Sequence, residues 1–503
     1  MDPKELNQRY QENKEIFHNY IDHIKKNSKK NLYTIINPTL VKNTYASNFP
    51  KNYFFNILKK QNKFFLFLKE IPKFYLNNFL LLLSYFISYV LYKIYFGKQR
   101  TNNLKNIIDV FGLVDKTIQN KSFNENYLTG IYDIFEKNDT QYALLLRLYP
   151  VGMNPFKLRK FFLILNKDSR DFVFEYEFLK FFDFIRLFFI IIKYPFQVLK
   201  LIQKEKSNMD KIFNNSLIKD INYFSFTSIT RYILGENLSK ITTIKNIYSW
   251  CEFQVIERSF NYAIKKNCSH INLIGLQVYI NYETFFNTYV DDTDFEMKSS
   301  PDKIIVNGKH YMRNLKNIKY ELGPSLRYKE LFNFKSANKE NNILLLGSYM
   351  NSDTKYLIDS VKKFNHIIFK NHPAVNIKNF GNLPQNIQVS NENIYKLFTN
   401  SNLVITTGSG TAIEAVSCGV SVIILSSQDN LTANPLIKMG KGKIWDLAYD
   451  SSEIDKIYKK LINYRNFNQS EIIEIANWYK NNFFIEPTEE NIMKMFDLKK
   501  KGI

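Results

Sequence analysis

The sequence predicts an α/β protein with two domains, each built around a parallel sheet, and with extra amphipathic helices in its N-terminal half. The chain has 503 residues, whereas one ordinary domain has ~100–200. Between residues 340 and 450, short apolar runs alternate with helical patterns, which is typical of a doubly wound parallel sheet. Glycine and proline are scarce, at 16 and 13, which disfavours a many-turned all-β protein.

Composition and charge restrict the classes of function. Hydrophobic residues make up 45% and charged residues 23%, so a packed core is expected rather than disorder. The formal net charge of +22 indicates either attraction to an anionic membrane or phosphorylated substrate, or a general enrichment in lysine. No zinc-finger, homeodomain or aromatic RNA-binding pattern occurs, so no nucleic-acid partner is predicted.

The cysteines and the N-terminus favour a cytoplasmic location. Cys251, Cys268 and Cys418 show neither metal-ligand spacing nor a disulfide framework, which predicts a reducing compartment and no metal site. The first residues are too polar for a secretory signal.

Residues 1–110 are predicted to form a helical, amphipathic region. Its most apolar segment, Phe79–Tyr92, is flanked by four basic residues: Lys73, Lys93, Lys98 and Arg100. The segment is shorter than the ~20 apolar residues that cross a bilayer, so a spanning, an interfacial and a core helix all stay open. A second such zone is Phe181–Ile202, where Pro195 is expected to break or kink the helix. Two basic, aromatic helices suit peripheral binding to the anionic inner face of the cell membrane, and equally a place for both in the core of the N-terminal domain.

Residues 111–332 are predicted to form the first α/β domain. Apolar runs predict strands at Leu144–Leu148, Phe172–Phe178, Ile271–Val278 and Lys303–Val306. Apolar residues near helical spacing predict one long helix at Asn246–Lys266.

The second domain, residues 333–465, begins in the polar stretch Phe332–Asn342 and is the most regular part of the sequence. Its helical segments include Ile394–Thr399 and Thr411–Ser417. Its apolar runs predict five strands, at Asn342–Leu346, His366–Lys370, Ile387–Val389, Leu403–Thr406 and Val420–Leu425. Residues 466–503 predict two helices that pack back on the first domain, Ser470–Phe484 and Glu489–Lys499.

Ligands of open parallel sheets bind outside the carboxyl ends of the strands, and three predicted strand ends carry suggestive residues. The pair Gly347-Ser348 either lets a ligand or the other domain approach the backbone, or makes a plain turn. Lys370 and His372 leave the next strand as alternate residues and therefore point the same way, unless Pro373 turns the chain first. A lysine and a histidine together can neutralise a diphosphate or protonate a leaving phosphate oxygen.

The strongest pattern is the glycine-rich loop after the strand Leu403–Thr406. Two glycines and two hydroxyl residues lead directly into a helix: Gly408, Ser409, Gly410 and Thr411. Unpaired N–H groups at the helix start would attract a phosphate, the hydroxyls add donors, and the glycines permit close approach. Glu414 lies one turn further, where it accepts sugar hydroxyls or completes a capping box with Thr411.

In order and spacing, these segments resemble the donor half of glycosyltransferases with the GT-B fold. The matching segments are Lys370-x-His372-Pro373, Ser401–Thr406, Gly408-Ser409-Gly410-Thr411-x-x-Glu414-Ala415 and Gly419–Leu425. They look most like transferases of bacterial surface polysaccharides: capsule enzymes, sialyl- and Kdo-type transferases with a His-Pro motif, and CDP-glycerol glycerophosphotransferases. The resemblance implies two Rossmann-like domains that face a cleft. It also implies nucleotide phosphates at His372, Ser409 and Thr411, and a ribose at Glu414.

Weaker similarity to surface-carbohydrate transferases adds two candidates from the first domain. Glu252, in the segment Trp250–Gln254, is the candidate base for the acceptor hydroxyl. Arg327, in Gly323–Tyr328, is the candidate for bidentate contact with the donor phosphates. Both residue types are also common as ordinary surface charges. The acidic run 291–294 is interpreted as a solvated turn and not as a metal site.

The resemblance thus implies a metal-independent glycosyltransferase that needs no cofactor, with a nucleotide sugar as co-substrate and a cell-surface glycan or lipid-linked acceptor. His372 and Glu252 are its catalytic candidates. Its donor-binding candidates are Gly347, Ser348, Lys370, His372, Gly408, Ser409, Gly410, Thr411, Glu414 and Arg327. Two alternatives stay open: a nucleotide-sugar 2-epimerase on the same architecture, and a membrane-peripheral scaffold with a degenerate donor fold.

Overall fold

A computed structural model of the chain describes residues 2–58, 62–97, 104–125, 127–128, 130–149, 154–334 and 342–498. Lys98 and Arg100, which were predicted to flank the apolar segment, and most of the predicted interdomain stretch 332–342 lie outside these residues.

The first sheet has seven strands, all parallel. Their bounds are β1 Asn106–Leu113, β2 Tyr142–Tyr149, β3 Phe172–Val173, β4 Asn246–Trp250, β5 Asn272–Gln277, β6 Lys303–Val306 and β7 Lys319–Leu322. They lie in the order β3-β2-β1-β4-β5-β6-β7. The order reverses between β1 and β4, which makes the carboxyl ends of these two strands the switch point where open sheets bind ligands.

The second sheet has six parallel strands in the order β10-β9-β8-β11-β12-β13. Their bounds are β8 Asn342–Leu346, β9 Ile367–Lys370, β10 Ile387–Val389, β11 Ser401–Thr406, β12 Ser421–Leu425 and β13 Trp445–Ala448. This is the strand order of a dinucleotide-binding sheet, with its switch point between β8 and β11. The predicted fold class, an α/β protein with two doubly wound parallel sheets, is confirmed.

Twenty α-helices accompany the sheets in the described part of the chain. In the N-terminal half they are α1 Pro3–Asn27, α2 Leu32–Ile35, α3 Asn48–Phe54, α4 Lys63–Tyr95, α5 Val114–Asn120, α6 Ile131–Lys137, α7 Pro155–Leu165, α8 Glu175–Phe178, α9 Phe181–Leu199, α10 Asn208–Lys219 and α11 Phe226–Leu238. The remainder are α12 Val255–Asn267, α13 Asp292–Glu296, α14 Lys329–Asn333, α15 Asn351–Ser360, α16 Ile394–Thr399, α17 Thr411–Ser417, α18 Ile454–Phe467, α19 Gln469–Phe483 and α20 Glu489–Met495.

Three predicted elements of the first domain are corrected by the structure. The long helix predicted at Asn246–Lys266 is β4 followed by α12, and the chain turns at Phe253, which adopts a positive φ of 59°. The strand predicted at Phe172–Phe178 is the two-residue β3 followed by α8. Pro195 does not break α9, which continues to Leu199.

The acidic run 291–294 is also not the solvated turn that was predicted. Asp291 caps α13, and Asp294 is almost fully buried. Asp294 pairs with Lys25 of α1 at 2.9 Å and with Arg258 of α12. Because a buried carboxylate is costly without partners, this cluster ties α1 to the core of the first domain.

The last two helices contact both sheets. The Tyr479 hydroxyl of α19 donates to Met439, before β13, at 2.9 Å. At the other end of α19, the backbone of Phe483 packs so closely on Gly308, after β6, that a Cβ there would lie 2.4 Å from it. After α20, the Phe496 carbonyl accepts a 3.2 Å hydrogen bond from Tyr248 of β4. The chain therefore returns from the second sheet to the first.

Candidate active site

The loop after β11 is where the second domain meets the first. A Cβ on Gly410 would lie 3.2 Å from the Tyr282 hydroxyl and 3.2 Å from Ile280, both of the first domain. The Gly410 N–H donates to the Tyr282 hydroxyl. The approach of the opposite domain that was considered for Gly347 thus occurs at Gly410, and it requires a residue without a side chain.

His372 follows β9 and is half-buried at this edge of the second sheet. Its Nδ1 accepts a 3.2 Å hydrogen bond from the Ala374 N–H, so the neutral ring carries its proton on Nε2. Its ring also packs edge-on against Tyr349, with centroids 5.7 Å apart. Burial first, and then the Arg327 guanidinium, lower the pKa of His372 below its ordinary value of 6.5. His372 is therefore held as a neutral imidazole that can donate from Nε2.

Arg327, which follows β7, brings a cation from the first domain to the same place. Its guanidinium lies over the Tyr127 ring, 5.6 Å from the centroid, and its side chain is exposed in the crevice. It is close enough to His372 and to Glu414 to shift the pKa of both. Arg327 is thus within electrostatic range of two second-domain candidates that lie far from it in the sequence.

Glu414 lies in α17 with its carboxylate buried. The Tyr395 hydroxyl of α16 donates to one carboxylate oxygen at 2.6 Å. Burial raises the pKa of Glu414, while Tyr395, Arg327 and the Thr411 hydroxyl oppose that rise. The predicted capping box is not formed, because Gly410 is the N-cap residue and Thr411 is the first residue of the helix.

The sequence predicted unpaired N–H groups at the start of α17, but in the structure these groups have hydrogen-bond partners. Besides Gly410, the Thr411 N–H donates to the Ser409 hydroxyl at 3.3 Å. The next two N–H groups donate to the carbonyls of Ser409 and Gly410, at 3.0 and 2.9 Å. Gly408 is close to Ala433, and its N–H reaches the Thr406 hydroxyl at 3.4 Å. The half-buried hydroxyls of Ser409 and Thr411, rather than the helix start itself, are the groups the loop presents.

The remaining donor-side candidates have structural partners. A Cβ on Gly347 would lie 3.1 Å from the backbone nitrogen of His372, so this glycine allows the loop that carries His372 to pack against β8. The Ser348 hydroxyl is buried and accepts from the Met350 N–H at 3.2 Å. The Lys370 ammonium donates to the Glu392 carbonyl, at the turn between β10 and α16. These three residues shape the site around His372.

Glu252 lies at the switch point of the first sheet, two residues beyond β4 and not on a helix. Its carboxylate accepts from Gln254 Nε2 at 2.7 Å and from Trp250 Nε1 at 3.4 Å. Tyr127 links the two first-domain candidates, because its ring contacts the Arg327 guanidinium and lies 4.4 Å, centroid to centroid, from the ring of Trp250, which donates to Glu252.

A buried ion cluster holds the loop that carries Glu252. Arg147 of β2 donates to the Trp250 carbonyl at 2.8 Å, on one side of the loop. Glu257 of α12 accepts from the Gln254 N–H at 2.9 Å, on the other side. Arg147 pairs with Glu257 and also with Asp109 of β1, at 2.6 Å, and all three side chains are buried. Buried charges of β1, β2 and α12 therefore hold the loop that carries Glu252 in place.

Sequence reasoning missed several polar groups at the carboxyl ends of the second sheet. Within the described part of the chain, the buried Thr407 hydroxyl after β11 and the Asn371 carbonyl oxygen after β9 have no hydrogen-bond partner. Buried polar atoms without partners are rare, so each calls for a ligand or water. Asn371 adjoins His372 and Thr407 adjoins Gly408, so neighbourhood to a predicted motif was the available signal. Among the described residues, no group of three or more His, Cys, Asp or Glu side chains is placed to hold a metal ion.

Together, the two doubly wound parallel sheets, the contact between their domains at Gly410 and the returning C-terminal helices define a two-domain α/β protein. No protein-family model matches the chain. No curated protein matches it either.

Solved structures do match it at low sequence identity. The UDP-GlcNAc 2-epimerase of Neisseria meningitidis, solved with UDP-GlcNAc bound, is 11% identical, with a TM-score of 0.42, over 78% of this chain and 100% of its own. The calicheamicin glycosyltransferase is 9% identical, with a TM-score of 0.41, over 79% of this chain and 98% of its own. The MurG protein of Acinetobacter baumannii is 11% identical, with a TM-score of 0.40, over 78% and 99% respectively.

Proposed function

We propose that this protein is a glycosyltransferase, which moves a sugar from a nucleotide-activated donor to a hydroxyl of a glycan or lipid-linked acceptor. The observation that carries the proposal is the contact between the two domains at Gly410 of the donor loop, near which Arg327 of the first domain shifts the pKa of His372 and Glu414 of the second. A cation, a neutral imidazole with a free N–H and a carboxylate are the groups that phosphate and ribose require.

In this proposal the second domain holds the donor. The Arg327 guanidinium and the Nε2–H of His372 would contact the phosphate oxygens, with the hydroxyls of Ser409 and Thr411 as further donors. The carboxylate of Glu414 would accept hydrogen bonds from the ribose, oriented by Tyr395. The unpartnered Thr407 hydroxyl and the side-chain amide oxygen of Asn371 are buried next to Gly408 and His372, respectively.

The first domain would bind the acceptor and supply the catalytic base. The acceptor oxygen forms a bond to the anomeric carbon, and the bond from that carbon to the phosphate oxygen breaks. The proton of the acceptor hydroxyl passes to Glu252, and the nucleotide phosphate leaves with the electron pair. Donors aimed at the oxygen that gains charge would lower the barrier, because their bonds strengthen as the sugar departs.

The first experiment is a thermal-shift screen with CMP, CDP, UDP, GDP and dTDP. A nucleotide that binds only the folded state raises the melting temperature, because at 100 times its Kd it stabilises that state by about 2.7 kcal/mol. We expect one base to stand out and its effect to be weakened in Glu414→Gln. A screen in which none of the five stabilises the protein would contradict the donor site.

The second experiment separates transfer from epimerisation. The sugar nucleotide that binds is incubated with the protein, with and without a detergent extract of membrane glycans, and the products are resolved by mass and by chromatography. We expect release of the nucleotide only with the extract, and its loss in Glu252→Gln with donor binding retained. Conversion of the sugar nucleotide to its 2-epimer without acceptor would instead identify an epimerase.

A further inference from the structure

The longest helix of the protein exposes its apolar side. Along α4, every third or fourth residue from Leu76 to Ile94 is aliphatic and between 39% and 66% exposed: Leu76, Leu80, Leu83, Ile87, Val90 and Ile94. At 1.5 Å per residue this stripe is about 27 Å long. By length and composition, α4 is also the one helix in the described part of the chain that could cross a membrane.

Between Asn78 and Tyr92, the buried residues of α4 are polar or carry a hydroxyl, although Asn77 and the lysines of the helix stay at the surface. Its buried side includes Asn78, Tyr85, Ser88 and Tyr92, and the Tyr92 hydroxyl donates to Glu177 at 3.3 Å. A surface helix in water normally buries its apolar stripe and exposes its polar side. The reversed arrangement in α4 indicates that its outer side meets an apolar medium.

The stripe is part of a wider surface. On one side α4 packs against α7, which exposes Phe156 and Leu163. On the other side it packs against α9, with the rings of Phe79 and Phe188 stacked 5.4 Å apart. The exposed apolar residues of α9 are Phe181, Phe182, Ile185, Phe188, Phe189 and Phe196. We call this surface of α4, α7 and α9 the apolar face; contiguous exposed apolar patches of this kind mark interaction sites.

The apolar face carries a strong excess of positive charge. The three helices contain nine Lys and Arg residues but only two Asp and Glu. Lys69, Lys73, Lys160 and Lys193 are exposed and make no ion pair within the described residues. This charge complements anionic lipid headgroups, each cation near such a surface contributing about 1 kcal/mol.

A cavity at the outer edge of α9 adds to this complementarity. Its volume is about 420 Å³, and Arg186, Lys193 and Lys266 line it together with Phe189. Arg186 is paired with Glu236 and Asp183, whereas Lys193 and Lys266 extend from exposed positions. The cavity offers cations and an aromatic wall next to the apolar face, as a lipid phosphate and its glycerol would require.

We propose that the apolar face lies in the interface of an anionic lipid bilayer, with α4 parallel to the membrane plane. The inner side of α4 is covered along its length by α7, α9 and α10, so a spanning orientation would carry these helices and their charges into the hydrocarbon. An interfacial orientation instead buries the aliphatic stripe while the lysines stay at headgroup level. This inference does not rest on the proposed transfer reaction.

The test is flotation of the full-length protein with lipid vesicles. One set is phosphatidylcholine alone and the other is an equimolar mixture of phosphatidylcholine and phosphatidylglycerol. We expect the protein to float with the anionic vesicles, more weakly at high salt, and not with the neutral ones. The stripe variant, Leu80→Gln with Leu83→Gln, should partition at least about tenfold less, since each inserted leucine side chain contributes more than 1.4 kcal/mol.

A matched control variant replaces two exposed apolar residues outside the apolar face. Phe467→Gln with Ile473→Gln removes side chains that are 80% and 60% exposed near the junction of α18 and α19, and it should float like the parent. Circular dichroism and thermal unfolding verify that both variants fold. The proposal is overturned if the parent ignores anionic vesicles or if the stripe variant floats equally well.

Two other outcomes would also overturn it. Retention in membranes through an alkaline carbonate wash would indicate a spanning α4. A lipid-free dimer that becomes a monomer in the stripe variant, by sedimentation velocity, would assign the apolar face to a second copy of this chain. Neither readout uses a sugar nucleotide, so failure here is distinguishable from failure of the proposed function.

Discussion

The hydroxyl of Tyr395 donates a 2.6 Å hydrogen bond to the buried carboxylate of Glu414, one residue from each of two helices that flank β11. This bond occupies one carboxylate oxygen, and Arg327 of the first domain also favours the charged form of Glu414. A glutamate that the sequence offers as a sugar ligand is thus held in place by a tyrosine from the preceding helix.

Replacing that tyrosine should therefore affect stability and donor binding together. In Tyr395→Phe, we expect the free energy of unfolding to fall by about 1.5–3 kcal/mol, because a buried carboxylate loses its donor. Urea unfolding measures this loss, and titration calorimetry measures nucleotide affinity. Tyr458→Phe, on α18, is the control, because that ring packs against Phe364 at the far side of the domain. A loss of stability with unchanged nucleotide affinity would mean that Glu414 is structural.

The hydroxyls of the loop give a second prediction. Ser409→Ala with Thr411→Ala should weaken nucleotide binding by about 1.5–3 kcal/mol for each bond lost to a charged phosphate. Titration calorimetry tests this directly, with Ser470→Ala, an exposed hydroxyl in α19, as control. Unchanged affinity in the double variant would remove the loop from the donor site.

His372 should matter for turnover rather than for folding. His372→Ala is expected to lower the rate of transfer by ~10²–10³, the effect of removing a donor aimed at developing charge, with little change in melting temperature. His366, at the opposite end of β9, is the control. It is exposed and has a positive φ of 56°, so His366→Asn is the suitable change, since asparagine tolerates that conformation. Equal losses of the transfer rate in the two variants would mean that β9 has only a structural role.

The pKa of His372 gives a prediction for pH. Burial and Arg327 lower this pKa below 6.5. Between the pKa in the folded state and pH 6.5, the folded protein therefore binds fewer protons than the unfolded protein. This contribution to stability is present above pH 6.5 and is lost as the pH falls through the folded pKa. Arg327→Gln removes a repelling cation and should raise the pKa of His372 toward 6.5.

NMR titration of the histidine ring protons measures this shift, with His372→Ala for assignment. His18 is the internal control, because burial lowers its pKa to about 3 and its charged neighbours are Lys42 and Lys25 instead of Arg327. If Arg327→Gln leaves the pKa of His372 unchanged, the two side chains do not share the crevice in solution.

The ion cluster beneath Glu252 should be essential for stability. Arg147→Met leaves Asp109 and Glu257 buried with too few partners, so we expect the free energy of unfolding to fall by about 3–5 kcal/mol. Arg159→Met, on the exposed side of α7, should change it by no more than about 0.5 kcal/mol. Denaturant unfolding of both variants checks this, and comparable stabilities would mean that the cluster contributes nothing.

The second domain could be predicted closely from sequence because its signals are local. Lys303–Val306 in the first domain, and Ile387–Val389, Ile394–Thr399 and Thr411–Ser417 in the second, have the predicted bounds. Each is a short run of consistent character, bounded by polar residues or by residues that favour turns, and short connections leave few alternative arrangements. The position of the Gly-Ser-Gly loop and of His372 at the carboxyl edge of a parallel sheet followed from the same pattern.

The first domain could not be predicted as well, because its elements depend on distant partners. β1 was missed because Asp109 interrupts its apolar run, and that aspartate is acceptable in a buried strand only beside Arg147 and Arg231. β4 and α12 were merged because no glycine or proline separates them; the turn falls at Phe253 and is stabilised by the packed core around it.

By itself, the sequence determined the α/β class, five of the six strands of the second domain, and which residues stand at the ends of those strands. Only the tertiary structure decided that Arg327 comes within electrostatic range of His372 and Glu414, that Tyr395 binds Glu414, and that α4 turns its aliphatic side outward. The physical reason is the range of the interactions. Backbone propensity and apolar periodicity act within a few residues, whereas an ion pair, a shared hydrogen bond or a buried helix face depends on residues that are adjacent only after folding.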